Sequence, residues 1–335
     1  MEKKEFANTG VMLSAIGLGC MGMSTSYGER NDEESLKTLQ RSLELGINFW
    51  DTSDIYANGE NEKLISKVLN ENRENVFIAT KVGFRSGNDT DDGNVRQGNY
   101  LDGSPVHIRK AVNACLERLD VDCIDLLYLH RVDPNVPVEE SIRAMAEFVK
   151  QGKVKYLGLS ECTLDDLNRA HRIHPISAVQ SEYSLVERTV EKNGILKRTK
   201  EINATFVPFA PLGRGLITNK KHMQNLKPTD FRYNIPRYNG EHRINNENLA
   251  NDLEAYANKY FNASASQLAV AWVIAQQDNI IPIPGTKRRT YLEENVKSLE
   301  LHLEKKHIKD IDEILARYPN VGERYAARQK GFLKK

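Results

Sequence analysis

SPVHIRKAVNACLERLDVDCIDLLYLHRVDPNVPVEESIRAMAEFVKQGKVKYLGLS, residues 104–160, reads as helix, strand, helix, strand. Ser104 is an N-cap residue and Pro105 suits the first helical position. Ile108, Val112, Leu116 and Leu119 then share one helical face. IDLLYLH (124–130) is almost continuously apolar until it meets His130. The next helix, 138–152, buries Ile142, Met145, Ala146 and Val149, and Gly152 is a natural stop. VKYLGLS (154–160) is a second apolar run. Strands that are apolar on both faces belong to a parallel sheet covered by helices.

The same alternation extends outward in both directions. AIGLGC (15–20), INFW (47–50), VFIATK (76–81), AVQSEYS (178–184), ATFVPFA (204–210) and IIPIPG (280–285) complete a set of eight strands. Thr163-x-x-Asp166 and Ser264-x-x-Gln267 read as capping boxes that open helices between them. Eight strand–helix units predict an α/β fold, a closed (β/α)8 TIM barrel. The competing architecture is an open doubly wound sheet. GLGCMG (17–22) does carry its GxGxxG spacing, a weak signal by itself, and the count of eight units favours the closed barrel. Residues 245–262 and 304–317 read as two additional helices. Residues 85–103 and 213–245 read as long polar loops, the kind that carry function. No linker divides the chain, so residues 1–335 are expected to form a single domain.

Composition narrows the function. Of 335 residues 40% are hydrophobic and the net charge is +1, so no strong field draws the chain to nucleic acid or to a membrane surface. Cys20, Cys115, Cys123 and Cys162 are scattered, without metal spacing, as suits a reducing compartment. The N-terminal residues lack the apolar core of a signal peptide, and no run is long enough to span a bilayer. A cytoplasmic location is expected. No sequence feature speaks to oligomeric state.

Chemistry in a barrel gathers at the C-terminal ends of the strands. There the apolar runs stop at Asp51, Lys81 and His130, with Tyr56 five residues after Asp51. A buried lysine needs a carboxylate nearby, and Asp51 is available. A lysine ammonium beside Tyr56 is expected to favour phenolate, lower the tyrosine's pKa and make it a usable general acid. His130 is placed to donate a hydrogen bond to a carbonyl oxygen or to help relay the proton. The ordinary readings are a loop cap, a surface tyrosine and a structural histidine. Four such residues on consecutive strand ends weigh against them. Asp54, between Asp51 and Tyr56, reads as a loop hydrogen-bonder. A metal site from Asp51, Asp54 and His130 finds no second cluster to support it.

These residues resemble the aldo-keto reductase family, specifically its long-chain, pyridoxal-reductase-like and auxin-induced-like members. INFWDTSDIY is similar to the family's Asp–Tyr signature, IATK to its lysine strand and DLLYLHRVD to its histidine strand. KVKYLGLSECT, AVQSEYSLVER, FAPLGRGLIT and IPIPGTKRRTYLEEN resemble later strands and the cofactor motif. The resemblance runs from about Gly10 to Leu315. It implies a barrel closed at its base by an N-terminal β-hairpin, which residues 4–14 fit, and NADPH-dependent reduction of aldehydes or ketones. It implies a tetrad of Asp51, Tyr56, Lys81 and His130, in which Tyr56 would protonate the carbonyl oxygen.

The resemblance also implies cofactor contacts for NADP(H). Ser160 and Gln180 would bind the nicotinamide carboxamide and Phe209 would stack on its ring, with Asp51 close by. The backbone at Gly19, Cys20 and Met21 would line the floor. Ala210, Pro211, Leu212, Gly213 and Arg214 would begin the loop over the pyrophosphate. Gly285, Thr286, Lys287 and Arg289, with Arg288, would hold the 2′-phosphate, and Glu294 and Asn295 the adenine. Tyr291 stands where some members have a stacking arginine, and Glu161 where many have asparagine. No metal is expected. Substrate contacts are expected from Trp50, Tyr56, Phe84, Arg131 and parts of 213–245, with Arg131 either meeting an anionic substrate or pairing with Asp133. The partner is then a small-molecule carbonyl compound. Two other readings stand beside this one: a cofactor-sensing regulatory subunit like those of potassium channels, and a metal-dependent barrel hydrolase.

Overall fold

The structure, a computed structural model, describes residues 1–87, 98–218 and 226–326. The expected loops 85–103 and 213–245 lie partly outside those residues, as does the tail beyond 326. The chain opens with an antiparallel hairpin, β1 (Lys3–Phe6) and β2 (Val11–Ser14). β3 (Leu18–Gly19), α1 (Asp32–Glu44), β4 (Phe49–Asp51), α2 (Glu60–Leu69) and β5 (Phe77–Val82) follow. A small antiparallel pair, β6 (Phe84–Arg85) and β7 (Tyr100–Leu101), flanks the loop after β5. Then come α3 (Pro105–Leu119), β8 (Ile124–Leu129), α4 (Val138–Lys150), β9 (Val154–Ser160), α5 (Leu164–Ile173) and β10 (Ile176–Glu182). The chain continues through α6 (Thr189–Lys192), α7 (Ile195–Glu201), β11 (Thr205–Phe209), α8 (Gly240–Phe261), α9 (Ala265–Ile274), α10 (Arg289–Lys297) and α11 (Lys305–Ala316).

Seven parallel strands lie in the order β11-β10-β9-β8-β5-β4-β3. Residues 280–285 close the ring. The Ile281 and Ile283 N–H groups donate to the β11 carbonyls of Phe206 and Pro208, both at 3.0 Å. On the other side Gly17 N–H donates to Pro282 O at 2.8 Å. This eighth strand is a chain of bridges rather than a full ladder, because Pro282 and Pro284 have no N–H to give. The fold is the α/β TIM barrel expected. The first strand is shorter than read, since only Leu18 and Gly19 pair.

The cap at Ser104 is as read, its side chain accepting from the His107 N–H, and both capping boxes form at Thr163 and Ser264. The two additional helices are α8 and α11. α8 starts at Gly240, earlier than expected, so part of the supposed loop 213–245 is helical.

Alternation along the strands divides the core in two. Phe49, Phe77, Ala79, Leu126, Tyr128, Ala178, Val207, Ile281 and Ile283 fill the barrel, with Phe6 and Leu13 of the hairpin as its floor. Trp50, Ile78, Leu127 and Leu129 pack outward against the helices. Counting by two from Phe49, Ala79 and Tyr128 puts Asp51, Lys81 and His130 on the inner face, one layer higher. The inner layer is tight at Gly158, where an added Cβ would lie 2.5 Å from the Tyr128 ring and 2.9 Å from Ala178 O. Gly158→Ala is therefore expected to lower stability by about 1–3 kcal/mol, measured by urea unfolding. An unchanged midpoint would mean the Tyr128 ring has room to move.

Candidate active site

Asp51 ends β4, Lys81 stands in β5 and His130 follows β8 directly. Tyr56 reaches them from a turn. Its backbone N–H donates to Ser53 O at 3.2 Å. Ala57, Asn58 and Gly59 then all have positive φ, of 50°, 53° and 87°. Two non-glycine residues in this region are costly, and such strain gathers at functional sites. Glu161 and Ala210, directly after β9 and β11, share it, as does Arg214 in the loop beyond β11.

Lys81 is fully buried and all three of its N–H bonds are committed. One goes to Asp51 Oδ1, one to Thr52 O at 2.8 Å and one to Tyr56 Oη at 3.3 Å. Asp51 Oδ2 accepts from Gln180 Nε2 at 2.8 Å. Because Lys81 donates to the phenol oxygen, the phenol proton is left for the cavity. The His130 ring stands edge-on to Tyr56, with centroids 5.8 Å apart, and its Nδ1 lies 3.0 Å from Ser53 Oγ. Phe84 packs edge-on to the same imidazole at 4.9 Å.

The electrostatics differ from the expectation at one point. Burial raises the Tyr56 phenol above the usual tyrosine value; Lys81 opposes this and does not win, and Asp51 reinforces it. Tyr56 is therefore a neutral phenol, not a partial phenolate, across the neutral range. Burial works to lower Lys81, but Asp51 and then Tyr56 reverse it, so the ammonium is held above its ordinary value. Burial also lifts the Asp51 carboxyl against the pull of Lys81. Burial, then the Arg131 and Lys81 charges, push His130 well below the usual histidine value, so its ring is neutral.

A cavity of about 1420 Å³ opens above these residues. It exceeds the roughly 300–1,000 Å³ of a single small-ligand site. Asp51, Tyr56, Phe84, His130 and Arg131 line one end, with Ser160, Gln180 and Phe209 beside them. Gly19, Met21, Ala210, Pro211, Leu212 and Arg214 line the middle, and Gly285, Thr286, Lys287, Arg288, Tyr291, Glu294 and Asn295 the far end. Arg131 Nη1 donates to Ser160 Oγ at 3.0 Å and to His130 O at 2.6 Å.

Several predicted residues lie elsewhere. Trp50 is on the outer face of β4, fully buried, with Nε1 donating to Ser42 of α1 at 3.0 Å, so it cannot reach a substrate in the barrel mouth. The Cys20 backbone is taken up beneath the floor that Gly19 and Met21 line, its N–H donating to Asp51 O at 2.9 Å and its O accepting from Asn61 Nδ2 at 3.0 Å. Gly213 sits behind the loop, its carbonyl accepting the Tyr238 hydroxyl at 2.8 Å. Arg289 turns out to Glu34 at 3.1 Å, and the groove holds Arg288 instead. Glu161 does not face the cavity: it accepts from Glu182 N–H at 2.8 Å and pairs with Arg324 at 2.7 Å. It thereby anchors the C-terminal segment, whose Tyr325 ring lies 4.4 Å from the Arg214 guanidinium and joins the wall. Arg324 and Tyr325 carried no sequence signal, being remote from every strand end. Among the described residues no helix is long and apolar enough to cross a membrane.

The sequence profile of the Aldo/keto reductase family matches residues 15–316. The chain belongs to that family. An aldo-keto reductase of Schizosaccharomyces pombe, whose name specifies NADP(+), is 39% identical over 316 residues, covering 93% of this chain and 91% of that protein. A probable aldo-keto reductase of Glycine max is 37% identical, covering 94% and 89%. Among solved structures, the glycerol dehydrogenase of Gluconobacter oxydans superposes with a TM-score of 0.84 at 27% identity, covering 94% of this chain and 95% of that one. As an aldo/keto reductase, the chain is an oxidoreductase, and its four converging side chains stand where the fold places chemistry.

Proposed function

We propose that this aldo/keto reductase, acting as a single barrel domain, uses NADPH to reduce aldehydes and ketones to alcohols, with Tyr56 as general acid. The observation that carries the reading is the hydrogen bond from Lys81 to Tyr56 Oη, which fixes the phenol and frees its proton for the cavity. The groove lined by Phe209, Lys287 and Arg288 would hold NADPH, which when bound would supply hydride for the carbonyl carbon. Tyr56 donates its proton to the carbonyl oxygen, and His130, neutral and adjacent, orients that oxygen. Asp51 holds Lys81 as an ammonium. Phe84 and Arg131 form the walls met by the rest of a small or medium substrate, aromatic carbonyls included. The four cysteines are all free, in keeping with a reducing cytoplasm.

The residues present suit the cofactor. Ser160 and Gln180 offer buried polar groups beside the Phe209 ring, and the cavity continues to a cationic end. There burial, then Arg288 beside it, holds Lys287 below the usual lysine value against the pull of Asp230 and Glu29. Lys287 Nζ is already aimed, donating to Tyr27 O at 2.6 Å and Glu29 O at 2.5 Å. A 2′-phosphate would answer that charge. Lys287→Ala should weaken NADPH binding about tenfold or more and NADH binding little, read by fluorescence titration. Equal weakening of both would move the 2′-phosphate away from Lys287.

The test of the activity is direct. NADPH and a reactive aldehyde such as a nitrobenzaldehyde are mixed with the protein, and loss of the reduced-nicotinamide absorbance is followed. Absence of NADPH binding would overturn the reading in favour of neither alternative. Activity lost to a chelator would favour the hydrolase.

A further inference from the structure

Ser53 and Asp54 lie between Asp51 and Tyr56, and the mechanism above uses neither. Ser53 is fully buried. Its Oγ lies 3.0 Å from His130 Nδ1 and 3.1 Å from Asp54 Oδ1, with Lys81 O further off at 3.3 Å. It also accepts from Ile55 N–H at 3.4 Å. A hydroxyl has one proton to give and two lone pairs. With Ile55 on one lone pair, the remaining lone pair and the proton fall to the two nearer partners, His130 and Asp54, ahead of Lys81 O.

We propose that Asp54 and Ser53 are positioning residues for His130: the chain Asp54–Ser53–His130 decides which imidazole nitrogen carries the proton that faces the substrate. Two arrangements satisfy every group. In the first, protonated Asp54 donates to Ser53 Oγ, Ser53 donates to Nδ1, and the proton of the neutral ring is on Nε2. That N–H suits a carbonyl oxygen, which only accepts. In the second, Asp54 is a carboxylate that accepts from Ser53, and Nδ1–H donates to Ser53. Nε2 then offers a lone pair, which suits the O–H of an alcohol. Passing from first to second, the Asp54 proton moves to Ser53, the Ser53 proton moves to Nδ1, and the Nε2 proton leaves to water in the cavity. One proton is lost and no bond between heavy atoms changes.

The surroundings put the change in an accessible range. Burial, then Glu62 of α2, raises Asp54 to about 8, with Ser53, Arg118 of α3 and the Ile55 N–H opposing. Arg118 gives Asp54 little relief, because its Nε donates to Glu62 at 2.7 Å. The Cys115 thiol of α3, raised by burial and then by Glu62 and Asp54, contributes no charge. On the other side His130 faces Lys81 of β5, its neighbour Arg131, and the neutral Tyr56; both cations keep the ring from taking a second proton. The inference rests on the reductase reading for its purpose, but the tautomer itself is read without substrate or turnover.

The experiment is a proton–nitrogen correlation spectrum of the full chain labelled with ¹⁵N-histidine, the His130 signals being those lost in His130→Gln. The Nε2–H form should dominate at about pH 6 and the Nδ1–H form at about pH 9.5, two tautomers that nitrogen shifts distinguish. Asp54→Asn and, independently, Ser53→Ala should each remove the pH response while the protein stays folded and binds NADPH. A ring whose tautomer does not change in the native chain overturns the proposal. So does a change that survives in either variant, and one folded variant is enough to decide.

Discussion

Tyr56→Phe is expected to lower carbonyl reduction by about 10²–10⁴-fold while leaving NADPH affinity within about twofold. The substitution removes one oxygen and keeps the ring that packs edge-on to His130. It deletes the acceptor of one Lys81 N–H, but the ammonium keeps Asp51 and Thr52 O, so the pair beneath stays ordered. The loss should therefore fall on kcat. The pH profile adds a second check. Burial holds the native phenol protonated well above neutrality, so the rate of reduction should show no fall near pH 7 that traces to tyrosine ionisation. Retention of activity within about threefold in the variant would remove Tyr56 from the reaction.

That argument uses a pKa direction opposite to the one read from sequence, and the reason is physical. The neighbours of Tyr56 were legible: apolar runs ending on Asp51, Lys81 and His130 can only converge if the strands close into a barrel. The balance between burial and one ammonium was not, because it depends on how much water the closed mouth admits. Trp50 shows a different limit. A run apolar on both sides hides which face is inner, although counting by two from Asp51 would have sent Trp50 outward. Arg289 and Arg288 are adjacent in sequence, and which of them enters the groove depends on where Glu34 of α1 lies across the barrel seam. The strained turn at Ala57–Gly59 has no signature beyond Asn58-Gly59, since alanine does not announce a positive φ. The capped helices and the alternating strands were legible because each is fixed by residues within one or two turns of chain.

Lys81→Met is expected to cost about 3–5 kcal/mol of stability and to abolish most turnover. The stability loss comes from Asp51, which is 3% exposed and would keep only the Gln180 amide as a partner. Its carboxyl is already lifted by burial, and without the ammonium it rises further. A carboxyl raised in the folded state binds a proton there that the unfolded chain has released. Stability then falls as pH rises from the unfolded carboxylate value up to the folded one. The variant should accordingly be less destabilised at about pH 5 than at about pH 8, measured by urea unfolding at both. Asp51→Asn added to Lys81→Met should recover most of the lost stability, because the stranded charge is gone and the amide can still meet Gln180. It should recover no activity, because Tyr56 still lacks the donor that fixes its oxygen. If the double variant unfolds as readily as Lys81→Met alone, charge pairing is not what holds these two residues together. If it regains turnover, Tyr56 needs neither of them.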